Sequence, residues 1–342
     1  MVKLMEIRHF IPLILILMPS LIWLLLKPTH SPWWLENILS TPFIILVIYS
    51  VLMLTLIYFV SYLDCMAYFL INFILAIFLN NTGTFNNIVN FNRTDTLKTQ
   101  ACTDPVTFFQ FNIKYTEKEH ELNELIAHLV AGQYHLITLQ GVSQQSKSQI
   151  IDKLSPYYPY FIRGESRHQQ VYSDQLIFSR YAFSNVKYYK NGDSSSLISS
   201  QWLLPGSAIN LHTLHPPSPR NEKLWQSRNK TLYQLKHTLK ASSEINSSVA
   251  STSLTHSSVK YALVIGDLNI SKHSKRIKIL RQGMNTTFIN SWPQKSYVLP
   301  FFGLAIDHFW VSKPANICSR QRLSQFSWSD HYAVKTQIYF KN

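Results

Sequence analysis

Residues able to move protons, hold cations or grip an anion recur along this chain at the ends of apolar runs. Phe111-Asn112 closes one run, Gln140-Gly141 another, and His212 with His215 a third. Asp267 and Asn269 close a fourth, Asp307-His308 lies within a fifth, and Ser329-Asp330-His331 precedes a sixth. Each cluster alone has a structural explanation, because Asp and Asn at strand ends make turns and a lone His is usually a satisfied core or surface residue. Together, in step with successive strand ends, they exceed what turn chemistry requires. The chemistry that suits them is hydrolysis of a phosphate ester. Carboxylates and amides bind Mg2+ through oxygen, leaving water and substrate phosphate to complete its shell. An Asp paired with a His orients and supports an imidazole. A separate Asp can position the attacking water, and Asn or His can donate to phosphoryl oxygens as charge builds there.

The elements that must position these residues follow from periodicity. Val106 to Ile113 reads as a strand, and Thr116 with Glu119 as a capping box. Leu122, Leu125, Ile126, Leu129 and Val130 then fall at helical spacing. His135 to Gln140 is a buried strand, followed by a helix near Ser146 to Leu154. This alternation predicts a layered α/β domain. Further strands are expected at Gln175 to Ser179, Ala208 to Leu214, Tyr261 to Ile265, Ala305 to Val311 and Ala333 to Phe340. Asn221 to Leu239 reads as a basic amphipathic helix, and the Ser-rich stretch from Ser242 to Ser258 as a flexible surface loop. No internal sequence repeat is visible.

The first 84 residues differ in kind. Phe10 to Leu26 is uncharged, Phe43 to Leu63 is long enough to span a bilayer, and Cys65 to Leu79 is a shorter apolar run. They predict two or three transmembrane helices, a membrane anchor over 1–84 and a linker over 85–104. With Lys3 and Arg8 marking an inside N-terminus, three spans place the later residues outside the membrane and two place them in the cytosol. Three is the expectation adopted. The anchor is electrically balanced, so the whole net charge of +14 falls on the later residues, 29 basic against 15 acidic. That surplus suits anionic partners, either nucleic acid or lipid headgroups, and also plain solubility beside a membrane. Of the three cysteines, Cys102 and Cys318 lie beyond the anchor. Two separate thiols are expected, although an oxidising compartment would let them pair.

In order along the chain, FFQFN, HLITLQGV, LIFSRY, LHTLHPPSP, VIGDLNIS, AIDHFWVS and SDHYAV resemble the motifs of the endonuclease/exonuclease/phosphatase superfamily over Pro105 to Phe340. GDxN, the ID pair and the terminal SDH are together specific, and HPPSP with the apolar N-terminus resembles bacterial membrane-anchored members. The resemblance implies an α/β (α+β) fold, a four-layer α/β/β/α sandwich, over 105–342, and a bacterial inner membrane as the location, on whose outer side three spans would place the domain. It further implies a Mg2+ or Mn2+ cofactor and a phosphate-ester substrate. Asn112 and Asp330 would serve the metal, with Asn112 also able to bind phosphate. His215 would contact the scissile phosphate, with His212 competing for that role. Asp267 would position or deprotonate water, Asn269 would contact phosphoryl oxygens, and Asp307 would support His331 beside the phosphate.

One position departs from the family pattern. LQGV stands where the family has LQEV, so Gly141 replaces the glutamate that is its main metal ligand, and strand alternation points Gln140 the opposite way. Three outcomes are open. The domain binds an anion without cutting it, another carboxylate such as Asp174 or Glu165 substitutes, or Asp330, Asp267 and Asn112 hold the ion with added water. On the first of these, a module that binds without cutting, Gly141→Glu would be expected to restore metal affinity.

Overall fold

A computed structural model describes residues 102–340 except 167–169, 193, 250–260, 282 and 295–302, and before residue 102 it describes 25, 32–40, 51, 70 and 96–98. The three apolar runs expected to span a membrane therefore lie outside the described residues, apart from the helical Leu25, Val51 and Leu70. Among the described residues no helix is long and apolar enough to cross a membrane. Trp33–Leu39 forms a short helix. A separate compact unit comprises Asp95–Leu299 and Gly303–Asn342.

The strands, in chain order, are β1 (Thr96–Lys98), β2 (Val106–Asn112), β3 (Leu136–Gln140), β4 (Tyr160–Ile162), β5 (Glu165–Ser166), β6 (Val171–Tyr172), β7 (Leu176–Ser179), β8 (Phe183–Asn191), β9 (Ser194–Leu204), β10 (Ser207–Leu214), β11 (Tyr261–Asp267), β12 (Met284–Thr286), β13 (Asp307–Ser312), β14 (Asn316–Leu323) and β15 (Ala333–Tyr339). They form two sheets, one ordered β1-β14-β15-β2-β3-β7-β4 and one ordered β12-β13-β11-β10-β9-β6-β5, with β8 beside β9. Each sheet has a parallel pair near its centre, β2 with β3 and β10 with β11, and β6 also lies parallel to β9. A parallel pair needs a crossover, and helices Glu119–Gly132 and Glu222–Val249 supply those of the two central pairs.

Side-chain alternation then sorts the layers. Phe108, Leu136, Ile177, Leu211, Leu263, Ile265, Phe309 and Val311 pack in one core between the sheets. Phe109, Phe111, Ile137 and Leu139 face the other way, onto Leu122, Leu125 and Ile150 of the first two long helices. Leu214, Val264 and Trp310 pack against Leu232 and Leu235 of Glu222–Val249. The expected α/β/β/α layering is what these clusters describe. It also sets the site: by the same period of two, Asn112, Asp267 and Asp307 fall on the inner faces of β2, β11 and β13.

Several local expectations need correction. The expected linker contains β1, which pairs with β14. Helix Glu222–Val249 runs through the first part of the stretch expected to be a loop, and 250–260 lie outside the described residues. The predicted capping box does not form. Lys118 occupies the N-cap without a side-chain bond, and the Thr116 hydroxyl donates instead to Glu121.

Cys102 and Cys318 form a disulfide across 216 residues of chain, contrary to the expectation of separate thiols. The strand pairing explains it, since Cys318 lies on β14, which β1 joins just before Cys102. A cross-link closing so long a loop restricts the unfolded chain strongly. Cys102→Ser is expected to lower unfolding stability by about 2–4 kcal/mol. Denaturant melts of oxidised protein, reduced protein and variant check this, and equal midpoints for all three would contradict it.

Candidate active site

The centre of the site is the amide of Asn112, at the inner end of β2. Its Nδ2 donates to Asp267 Oδ2 at 3.0 Å and lies 3.4 Å from His215 Nε2 and 3.5 Å from His331 Nε2. Both imidazoles therefore point their Nε2 atoms at one spot. Each is held from behind by a carboxylate: His215 Nδ1 lies 2.8 Å from Asp174 Oδ2, and His331 Nδ1 lies 2.8 Å from Asp307 Oδ2. Asp267 Oδ2 stands 3.6 Å from His331 Nε2 and 3.9 Å from His215 Nε2. The structure thus brings Asn112, His215, Asp267, Asp307 and His331 together, the C-terminal ends of parallel strands supplying the first three.

Backbone and neighbouring side chains fix this arrangement. The Ser329 hydroxyl donates to Asn112 O at 2.8 Å and accepts the His331 N–H at 3.1 Å, tying the final loop to β2. Gln110 Nε2 donates to Asp307 Oδ1 at 3.3 Å. Asp267 Oδ1 accepts the Asn269 N–H at 2.9 Å, and Asn269 Nδ2 donates to Pro216 O at 2.9 Å. Asn269 therefore links the Asp267 turn to the loop after His215, in addition to any contact it makes with a substrate.

The electrostatics follow from burial and from two facing carboxylates. Asp267 and Asp307 are directly opposed residues on β11 and β13, and both are buried. Two like charges so placed cannot both be stable. Burial pushes both carboxyls up, but the His331 imidazolium and its hydrogen bond hold Asp307 below its ordinary value. Asp267 goes the other way, raised first by burial and then by Asp307. Burial alone would lower His215, yet the charge and hydrogen bond of Asp174, with Asp267, carry it to about 9. His331 also reaches about 9, burial being outweighed by Asp307 and Asp267. At neutral pH the site holds two imidazolium groups around a carboxylate whose proton affinity is raised.

The remaining sequence candidates fall elsewhere. His212 lies on the opposite face of β10, against Ser199 Oγ at 2.7 Å, and burial pushes it down to about 4. It does not compete with His215. Asp174 does not replace the missing glutamate, because its carboxylate serves His215 and accepts the Tyr115 hydroxyl. Glu165 is engaged by Gln144 Nε2 at 3.1 Å and by Lys147 Nζ at 3.9 Å rather than by any of the site residues. Sequence reasoning missed Asp174 as the partner of His215. The available signal was chemical: an imidazole working at a phosphate needs a fixed tautomer, and a carboxylate usually sets it.

The expected metal site at the rim does not fit. Gly141 offers no ligand and sits at φ +60, and a Cβ there would come within 2.5 Å of Asn112 Oδ1. That oxygen accepts the Lys114 N–H at 3.0 Å. Asp330 is engaged by Lys114 Nζ at 3.0 Å and by Trp292 Nε1 at 3.2 Å. So Asn112 and Asp330 do not converge on an ion with a third carboxylate, and Gly141→Glu would not simply restore one. Deeper in, the buried Asp267, Asp307 and His331 form a group able to hold a cation, their ligand-type atoms lying within 4.8 Å of one another.

Residues 109–331 match the Endonuclease/Exonuclease/phosphatase family. Among solved structures, D. rerio TDP2 in complex with a single-stranded DNA product is 14% identical, with a TM-score of 0.53 over 70% of this chain and 100% of that one. A mannosyl-6-phosphatase of Bacteroides thetaiotaomicron is also 14% identical, with a TM-score of 0.51 over 69% of this chain and 100% of its own. An endonuclease/exonuclease/phosphatase of Beutenbergia cavernae gives the same TM-score of 0.51 at 14% identity, over 70% and 72% of the two chains. Such likenesses establish the fold. No curated protein matches the chain.

Proposed function

We propose that this chain, which belongs to the endonuclease/exonuclease/phosphatase family, is a membrane-tethered hydrolase of phosphoric esters. The observation that carries the reading is the convergence of two Asp-supported imidazoles on Asp267 and Asn112. In the reaction, water attacks phosphorus and the bond to the leaving oxygen breaks. Asp267, its proton affinity raised, accepts the water proton. The imidazolium of His215 or His331 donates to the leaving oxygen, and the other neutralises the phosphoryl group. Asn112 Nδ2 and the Asn269 amide are the neutral donors at hand.

Relatives indicate the substrate class only broadly, one being solved with a DNA product and another named for a sugar phosphate. Nucleic acid and lipid headgroup diesters are the two substrates that this chain's charge and apolar N-terminus favour. Mg2+ or Mn2+ is the cofactor that the family leads one to expect; bound, it would polarise a phosphoryl oxygen. With the rim occupied, the proton transfers rest on this chain's own side chains. The Cys102–Cys318 disulfide supports an oxidising compartment, consistent with three spans in a bacterial inner membrane and a periplasmic domain.

The test is a panel of plasmid DNA, RNA, sphingomyelin vesicles and a phosphate monoester, each with Mg2+, with Mn2+ and with EDTA. Turnover of one class is expected, declining as pH rises through about 9, where both imidazoliums lose their protons. A second reading draws on Gly141: a module that binds nucleic acid or anionic lipid without cutting it. Salt-sensitive binding with no turnover anywhere in the panel would establish that reading instead.

A further inference from the structure

The rim of the site carries a cation of its own. Lys114 follows β2 by two residues, and its ammonium sits on Asp330 at 3.0 Å. An ammonium has three N–H donors. The Lys114 side chain is 56% exposed, so donors not used by Asp330 are open to solvent. Asp330 is adjacent to His331 and also accepts the Trp292 indole. The lysine is thus tied, through Asp330, to the loop that carries His331.

The backbone shows that this placement is built in. Lys114 and Tyr115 are consecutive left-handed residues, at φ 51 and 56. Their turn folds over the end of β3: Tyr115 N–H donates to Gly141 O at 2.6 Å, and Lys114 N–H donates to Asn112 Oδ1 at 3.0 Å. The space this turn fills is the space a side chain at 141 would need, since a Cβ there would meet Asn112 Oδ1 at 2.5 Å and Lys114 N at 3.2 Å. Two left-handed non-glycine residues in a row are costly, and here a hydrogen bond from each repays the conformation. Gly141 and Lys114 are therefore two ends of one arrangement. The residue that loses a carboxylate makes room for the turn that delivers an ammonium.

We propose that Lys114 is a tethered cation standing on Asp330 in place of a divalent ion, and that its ammonium binds the phosphoryl oxygens of the substrate. The inference rests on the phosphoester reading for its role in turnover, but not for its anion binding. A lysine acts as a point charge and donor toward phosphate. It needs no glutamate at 141 and no oxygen from Asn112. It also leaves Asn112 free to present Nδ2 to Asp267 and the two imidazoles.

The experiment titrates the full chain with inorganic phosphate in EDTA by calorimetry, for wild type, Lys114→Met and Lys114→Arg, alongside turnover of whichever ester the substrate panel identifies. Wild type should bind phosphate without metal, Lys114→Met should weaken that binding about tenfold or more, and Lys114→Arg should retain most of it. Manganese titrated by paramagnetic resonance should show no ion at Asp330 in wild type, read as no difference in uptake between wild type and Asp330→Asn. Phosphate binding that requires Mg2+, or that Lys114→Met leaves unchanged, overturns the proposal. Metal-free, Lys114-dependent phosphate binding with no ester turned over upholds the tethered cation and removes the hydrolase reading alone. Because Lys114 is largely exposed, the variants should fold, and unchanged melting temperatures would verify that.

Discussion

Asp267→Asn is expected to slow ester hydrolysis by about a thousandfold while changing the melting temperature little. The rate effect follows from its position. Asp267 Oδ2 faces both imidazole Nε2 atoms and accepts from Asn112 Nδ2, so it is the carboxylate that water entering between them would meet. General-base assistance contributes roughly 10^2 to 10^4 in rate, and a thousandfold loss corresponds to about 4 kcal/mol of barrier. Asn keeps the shape but only one oxygen, so it can accept from Asn112 while losing the Asn269 N–H, at a cost of about 1 kcal/mol in stability; the loss of rate would report the charge and the proton transfer.

The stability effect is small, and it discriminates. A buried carboxyl whose folded proton affinity is raised makes the folded state less stable once it ionises. Asp267 is such a group, raised by burial and by Asp307 across the sheet. Replacing it with a neutral amide relieves that repulsion, which offsets the lost bond. A structural carboxylate would behave in reverse, so a sharp fall in melting temperature together with lost activity would remove Asp267 from the chemistry. Retained turnover would do the same. The site holds its charges in an arrangement unfavourable to the fold, as functional sites commonly do.

The inner and outer faces of the central strands were legible in sequence because the signal is simple. A strand of period two that ends in Asn112 or Asp267 must put those side chains on the face of Phe108 or Ile265. The GDxN and SDH segments were legible for the same reason, as polar termini of apolar runs. β9 was not: Ser194–Leu204 begins with serines, and its burial comes from neighbouring strands on both sides rather than from its own pattern. Asp174 lies in a loop, where spacing carries no orientation. Its partnership with His215 arises only when the two sheets pack face to face. The disulfide was equally hidden, since its proximity depends on β1 joining β14. Lys114 had no signal either, because consecutive left-handed residues that are neither Gly nor Asn are not what FNIKY suggests.

Gly141 is the position where those two levels meet, and it yields the second large effect. Gly141→Ala is expected to destabilise the protein by roughly 2–3 kcal/mol. About 1–2 kcal/mol comes from placing a Cβ in left-handed backbone. About 1 kcal/mol more comes from the hydrogen bond that Asn112 Oδ1 must give up to Lys114 N–H when the methyl displaces it. Gly206→Ala is the control, since Gly206 also has positive φ, at +78, but has nothing within 4 Å of the place its methyl would occupy. It should show the backbone cost alone. The same displacement pulls Asn112 Nδ2 from Asp267 and the imidazoles, so turnover should fall at least about tenfold in Gly141→Ala and stay unchanged in Gly206→Ala. Gly141→Glu should behave like the alanine variant and gain no Mg2+ affinity by calorimetry, because the new carboxylate has no room while the Lys114–Tyr115 turn lies over it. Equal stability of the two alanine variants would mean that Asn112 can step aside without cost. A gain of Mg2+ binding by Gly141→Glu would mean that the turn can lift, returning the rim to a metal ion and taking Asp330 from Lys114.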